Sequence, residues 1–190
     1  MKNIEVEIQV EIEEVKPLLK FLKDKGQFVD SSKESDEYFV PCCRNFTDVK
    51  PVKEWLRLRD KAGKFTITYK NWHYEKNGKS THADEYETVL ESIEQLKNIF
   101  LALKFRSLTK IEKVRKKYLY KDFEISLDNV KNLGDFVEIE YKGKEIKDPK
   151  KITASMIRFL KDIGVGKITR NYVGYPFMML FPKEIKEEVL

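Results

Sequence analysis

Isoleucine and valine alternate with glutamate and glutamine along residues 4–14, IEVEIQVEIEE. That is the period-two pattern of a β-strand with one polar face. Similar strand-like stretches recur at 37–40 (EYFV), 54–60 (EWLRLRD), 64–72 (KFTITYKNW) and 83–90 (ADEYETVL), then at 112–120 (EKVRKKYLY), 123–128 (FEISLD) and 135–142 (DFVEIEYK). DKAGK at 60–64 and KNGK at 76–79 carry glycine where hairpin turns need it, and YKD at 120–122 is a weaker turn signal. A helical period takes over between the strands. Residues 14–25 gather Val15, Leu18, Leu19 and Leu22 on one face, hold Pro17 in the first turn and end at Gly26. Residues 92–104 open with Ser92 and Gln95 in capping-box spacing. Asp148-Pro149 starts a helix carrying Ile152, Met156, Leu160 and Ile163, which stops at Gly164, and a short helix is expected over 128–133, ending at Gly134. Antiparallel strands with interspersed helices predict an α+β fold. A sheet of about eight such strands tends to curl or close.

Composition narrows this picture only a little. A chain of 190 residues, 41% hydrophobic and 36% charged, suits one soluble globular domain over 1–190. No apolar run approaches the roughly 20 residues of a membrane helix. The opening MKNIEVEI lacks the apolar core of a signal peptide, so a cytoplasmic protein without membrane attachment is expected. The 37 Lys and Arg against 32 Asp and Glu give +5, too modest to select a polyanion partner. Cys42 and Cys43 are adjacent, which suits neither a zinc site nor an unstrained disulfide. His73 and His82 flank the turn-like EKNGKS and read as loop surface residues.

The polar faces of the strands differ in sign from one strand to the next. Glu5 and Glu7 are acidic, as are Glu85 with Glu87 and Glu138 with Glu140. Arg57 and Arg59 are basic, as are Lys113, Arg115 and Lys117, and Lys70 shares a face with Thr66 and Thr68. One reading is an ordinary amphipathic sheet whose polar faces meet solvent. The other is a closed barrel with polar faces inward and helices outside, enclosing a ligand. In such a lumen, carboxylate columns without cysteine or histidine suit Mg²⁺ or Mn²⁺. Arginine forks and lysines suit phosphate oxygens.

A set of motifs in fixed order then adds a family. EVEIQ (5–9) resembles a Glu-x-Glu-x-Lys strand, with Gln9 where lysine is expected. SDEYF (35–39), PCCRNF (41–46), WLRLR (55–59), TYK (68–70), EYE (85–87), KVR (113–115), SLDNVKNLGDFVEIE (126–140) and NY (171–172) follow. Together they resemble the CYTH superfamily, the triphosphate tunnel metalloenzymes, which include class IV adenylate cyclases and thiamine triphosphatases. The resemblance implies an eight-stranded antiparallel closed β-barrel, or tunnel, with helices packed outside. It implies metal ligation by Glu5, Glu7, Glu138 and Glu140 with help from Asp128, and triphosphate binding by Arg57, Arg59, Lys70, Lys113 and Arg115. Lys70 and Arg115 are the expected catalytic residues, Glu85 and Glu87 orient the cations or bind a second metal, and Gln9 is a weakened phosphate contact. Losing a charge-assisted bond there costs about 1.5–3 kcal/mol. Glu13 is expected to start the first helix, and Glu11 is unassigned.

The implied reaction is that of a class IV adenylate cyclase, ATP to cyclic AMP and pyrophosphate. Hydrolysis of thiamine triphosphate or inorganic triphosphate is the alternative, and a non-catalytic nucleotide- or polyphosphate-binding module is the third. The expected partner is a nucleotide or other small triphosphate, and a homodimer is possible. Nucleic acid is disfavoured, because basic residues alternate with acids and Trp55, Trp72 and the 171–181 aromatics read as packing groups.

Overall fold

A computed structural model describes residues 4–190. In chain order the elements are β1 (Ile4–Glu5), β2 (Glu7–Ile12), α1 (Val15–Lys25), β3 (Gln27–Val40), β4 (Glu54–Lys61), β5 (Lys64–Tyr74), β6 (Ser80–Leu90) and α2 (Ile93–Ala102). They continue with β7 (Arg106–Tyr120), β8 (Phe123–Val130), β9 (Gly134–Tyr141), α3 (Pro149–Ile163), β10 (Ile168–Arg170), α4 (Tyr175–Leu180) and β11 (Glu188–Val189). The fold is α+β, with one antiparallel sheet ordered β1-β6-β5-β4-β3-β7-β8-β9-β2-β10-β11.

The hydrogen-bonded order does not by itself establish the expected closed eight-stranded barrel. Among the described residues the sheet has eleven strands and an open order. The reason lies at Val6, where the first strand changes partner. Ile4 and Glu5 pair with Asp84 and Ala83 of β6, whereas Glu7 to Val10 pair with residues 137–140 of β9. One stretch of chain thus touches both ends of the run from β6 to β9, and β10 and β11 extend the sheet beyond β2.

Alternation decides which face each residue takes. Val6, Ile8 and Val10 turn outward under α1 and α3, where they meet Leu18, Leu22, Met156 and Leu160. All seven are essentially fully buried, each worth about 1.5–3 kcal/mol of transfer free energy. The helix ends follow the predicted chemistry. Ser92 Oγ accepts from Gln95 N, Asp148 accepts from Lys150 N and Lys151 N, and Gly164 ends α3 in the left-handed region at φ +80°. On another face α2 sets Ile93 and Phe100 against Phe39 and Leu58. The predicted packing role of 171–181 holds for α4, whose Tyr175, Phe177 and Met178 pack with Tyr38, Trp55, Ile111, Val130 and Phe136.

Three local expectations are corrected. Residues 128–133 are not a helix: β8 runs to Val130, hydrogen-bonded on both sides by β7 and β9, and a turn at 131–133 follows. His73 and His82 lie in strands rather than a loop, directly across β5 and β6 with rings stacked 4.3 Å apart. Glu13 precedes the helix N-cap, Glu14, and accepts instead from Lys167 N at 2.9 Å, holding the approach to β10.

Candidate active site

The inward polar faces enclose a cavity of about 230 Å³. Its acid wall comes from β1, β2 and β9. Antiparallel register sets Glu7 opposite Glu140 and Gln9 opposite Glu138, with Glu5 just before the break at Val6. Like charges directly across a ladder repel, and these carboxylates are withdrawn from water as well. Burial raises Glu5 to about 7 against the pull of Lys70, and burial together with the Glu5 charge raises Glu7 to about 7. Glu140 is raised too, chiefly by burial.

Lys70, on β5, is the cation that meets the Glu5 and Glu7 side of this wall. Its Nζ lies 2.5 Å from Glu5 Oε2 and 3.7 Å from both Glu7 Oε1 and Glu85 Oε1. Burial alone would favour a neutral amine, but Glu5, Glu7 and Glu85 overcome it and hold the ammonium charged.

The basic wall comes from β4 and β7. Arg59 grips Asp36 with a fork, Nε to Oδ1 at 2.6 Å and Nη2 to Oδ2 at 2.7 Å. Burial opposes ionisation of Asp36, but Arg59 and Arg57 win and hold it well below the usual carboxylate range. Arg57 Nη2 donates to Thr68 Oγ1 at 2.9 Å and reaches Glu87 Oε2 at 3.4 Å. Arg115 forks onto Asp128 at 2.6 and 2.5 Å and also pairs with Glu138. Burial resists ionisation of Glu138 too, yet Arg115 and Lys113 lower it to about 2. Lys113 sits 3.3 Å from Asp128 and 3.7 Å from Glu34, its basicity lowered by burial and by Arg115.

The cavity brings together Glu5, Glu7, Gln9, Arg57, Arg59, Lys70, Glu85, Glu87, Lys113, Arg115, Glu138 and Glu140. Asp128 stands apart from them. It does not line the cavity but lies behind Arg115, accepting from it and from Tyr175 Oη at 3.0 Å. Gln9 Nε2 contacts Val173 O at 3.3 Å and Met178 Sδ at 3.5 Å, so its amide is turned to the segment that carries α4. Sequence reasoning missed Asp36 and Tyr38 as cavity residues, although Glu34, Asp36 and Tyr38 alternate along β3. It read Trp55 and Trp72 as packing groups only, whereas both also line the cavity. It also missed Lys142, which pairs with Glu140 at 2.6 Å, while Glu124, on an expected polar face with Ser126, pairs with Lys117 at 2.8 Å.

The donor chemistry of the acid wall fits a hard divalent cation, since all four groups are carboxylates. Among the described residues no three such side chains converge to hold one ion. Lys70 pairs with Glu5, Arg115 with Glu138 and Lys142 with Glu140 instead, while Glu7 faces Glu140 across one rung with Lys70 3.7 Å away.

Comparison with known proteins agrees with this geometry. A Methanocaldococcus jannaschii protein named "putative adenylate cyclase" is 34% identical over 174 residues, covering 90% of this chain and 97% of that one. A solved Pyrococcus horikoshii structure superposes with TM-score 0.76 at 25% identity, over 95% of this chain and 99% of the other. A Hippeastrum structure described as revealing a dominant triphosphatase activity has TM-score 0.67 at 18% identity, over 96% and 100%, a likeness of fold. The CYTH domain profile matches residues 1–172, and the chain belongs to the CYTH domain family.

Proposed function

We propose that the chain is a divalent-metal-dependent enzyme acting on a triphosphate substrate, in a tunnel closed where the first strand passes from β6 to β9. One observation carries this reading: an acid wall and a basic wall face one another inside a single cavity. The Arg57 Nε is buried and has no hydrogen-bond partner among the described residues, a donor that a phosphate oxygen would satisfy. The CYTH family is one of triphosphate tunnel metalloenzymes. Mg²⁺ or Mn²⁺, held by Glu5, Glu7, Glu138 and Glu140, would offset phosphate charge and polarise the phosphorus under attack.

The 34%-identical relative favours cyclisation of ATP. The 3′-hydroxyl oxygen bonds to the α-phosphorus as the bond to pyrophosphate breaks; the hydroxyl proton ends on the pyrophosphate, which leaves. Arg57, Arg59 and Lys113 hold phosphate oxygens, while Lys70 and Arg115, which adjoin both walls, stabilise charge on the phosphoryl and leaving groups. Asp128 and Tyr175 orient Arg115. A second reading, hydrolysis of the terminal phosphate, is favoured by the cavity volume. About 230 Å³ is less than the roughly 300–1,000 Å³ of sites that enclose a drug-sized ligand, so a phosphate chain fits more readily than a whole nucleotide.

Incubation with ATP, thiamine triphosphate and tripolyphosphate, each with Mg²⁺ or Mn²⁺, separates the readings by product. Cyclic AMP with pyrophosphate marks the cyclase, orthophosphate marks the triphosphatase, and binding without turnover marks a non-catalytic module. Glu138→Gln and Arg57→Ala are expected to abolish turnover. Activity that survives both changes rules out this cavity as the site.

A further inference from the structure

A side pocket of about 30 Å³ opens next to the cavity and shares Glu7, Gln9, Trp72 and Gly174 with it. Its remaining wall includes Arg170, the last residue of β10, which is only 4% exposed. A buried guanidinium is ordinarily paired with a carboxylate, because taking the charge out of water is costly. Among the described residues no carboxylate lies within ion-pairing distance of Arg170. Its close neighbour is the face of the Tyr172 ring, 4.3 Å from the guanidinium carbon.

That ring is held in place at a backbone cost. Tyr172 adopts φ +59°, a left-handed conformation that a non-glycine residue keeps only where its surroundings impose it. The surroundings are the Tyr172 hydroxyl on Glu188, the Lys79 ammonium 5.3 Å from the ring centre, and the Lys79–Glu188 pair at 2.6 Å. The segment therefore builds a fixed shelf beneath a guanidinium that has no carboxylate in direct contact: Glu188 lies opposite it across the β10–β11 pair but is engaged by Tyr172 and Lys79. Burial lowers the basicity of Arg170, with Tyr172, Glu7 and Glu188 opposing only in part. On the cavity side the shelf adjoins Gln9, the neutral residue of an otherwise charged strand face.

We propose that Arg170 is a phosphate-binding residue: it supplies, beside Gln9, the positive charge that position 9 lacks, and its anion is an oxygen of the substrate's phosphate chain. The pocket has room for one such oxygen, being larger than the roughly 10–15 Å³ that a single water needs. A planar fork over an aromatic face is a geometry suited to an oxyanion. This inference rests on the triphosphate reading and extends it to the C-terminal segment.

Isothermal titration of the full chain with inorganic tripolyphosphate, in EDTA and again with Mg²⁺, tests it. Arg170→Gln is expected to weaken binding about tenfold or more, the loss of one charge-assisted contact. Adding Gln9→Lys to Arg170→Gln is expected to restore most of the affinity, which a purely structural role for Arg170 would not produce. Native affinity in Arg170→Gln while Arg57→Ala binds poorly overturns the role of Arg170. Native affinity in Arg57→Ala overturns the triphosphate reading itself. Should Arg170→Gln show no cooperative melt, the Arg170 Nε–H resonance of the native chain decides: it must shift on tripolyphosphate addition, and an unmoved signal overturns the proposal.

Discussion

Asp36 shows how much one side chain can organise. It is 1% exposed, receives the Arg59 fork and lies 3.9 Å from Arg57, so it aligns both arginines of the basic wall. Its folded pKa lies below the unfolded value, so its charge stabilises the fold above about pH 4, and that contribution drains away as the pH falls further. Asp36→Asn is expected to cost about 3–5 kcal/mol at neutral pH, because it leaves buried guanidinium charge unpaired. It should also flatten the loss of stability below pH 4. Urea midpoints measured between pH 7 and pH 2.5 check both, and a native-like profile would remove Asp36 from this role. The sequence hides Asp36 for a physical reason. Glu5, Glu7, Arg57 and Arg59 each alternate with apolar neighbours and so announce their face, whereas QFVDSSKESD is polar on nearly every position. β3 is held there by β4 and β7 rather than by an apolar outer face, and no period marks it. Asp128 misleads in the opposite sense: its motif was legible, but its burial behind Arg115 was not.

Among the elements, those with a clear apolar face were readable, α1 even without a side-chain N-cap or a left-handed C-cap, and the failures cluster where the period is short or absent. DNVKNL places Val130 and Leu133 three apart and looks helical, yet Asp128 is committed to Arg115 and Lys131 N donates to Glu112 O at 2.9 Å. The backbone then reverses through Asn132 at φ +69° and Gly134 at φ +111°. Gly134→Ala should therefore cost about 1–2 kcal/mol, read as a lower urea midpoint with an unchanged slope. A neutral result would mean that the turn can re-form with another backbone. α4 escapes detection because YPFMML is apolar on every side, and β10 and β11, three and two residues long, are too short to show a period.

At the level of the whole molecule, a divalent cation on the acid wall would couple its binding to stability. An ion that binds only the folded state at 100 times its Kd adds about 2.7 kcal/mol, or roughly 5–10 °C in Tm for a chain of this size. Calorimetry with Mg²⁺ or Mn²⁺ against an EDTA control should show that gain, and Glu7→Gln with Glu140→Gln should abolish it. A gain that persists in the double variant places the ion elsewhere. The break at Val6 also has a consequence in time. A ribosome releases Glu5 and Glu7 well before their strand partners Ala83 and Glu140. At about 5–20 residues per second, Glu7 waits roughly 7–27 s for Glu140. Pairings so distant along the chain are the slowest to form. The Glu7 strand is thus placed long after it is made, and the acid wall becomes complete only once residue 140 has been synthesised.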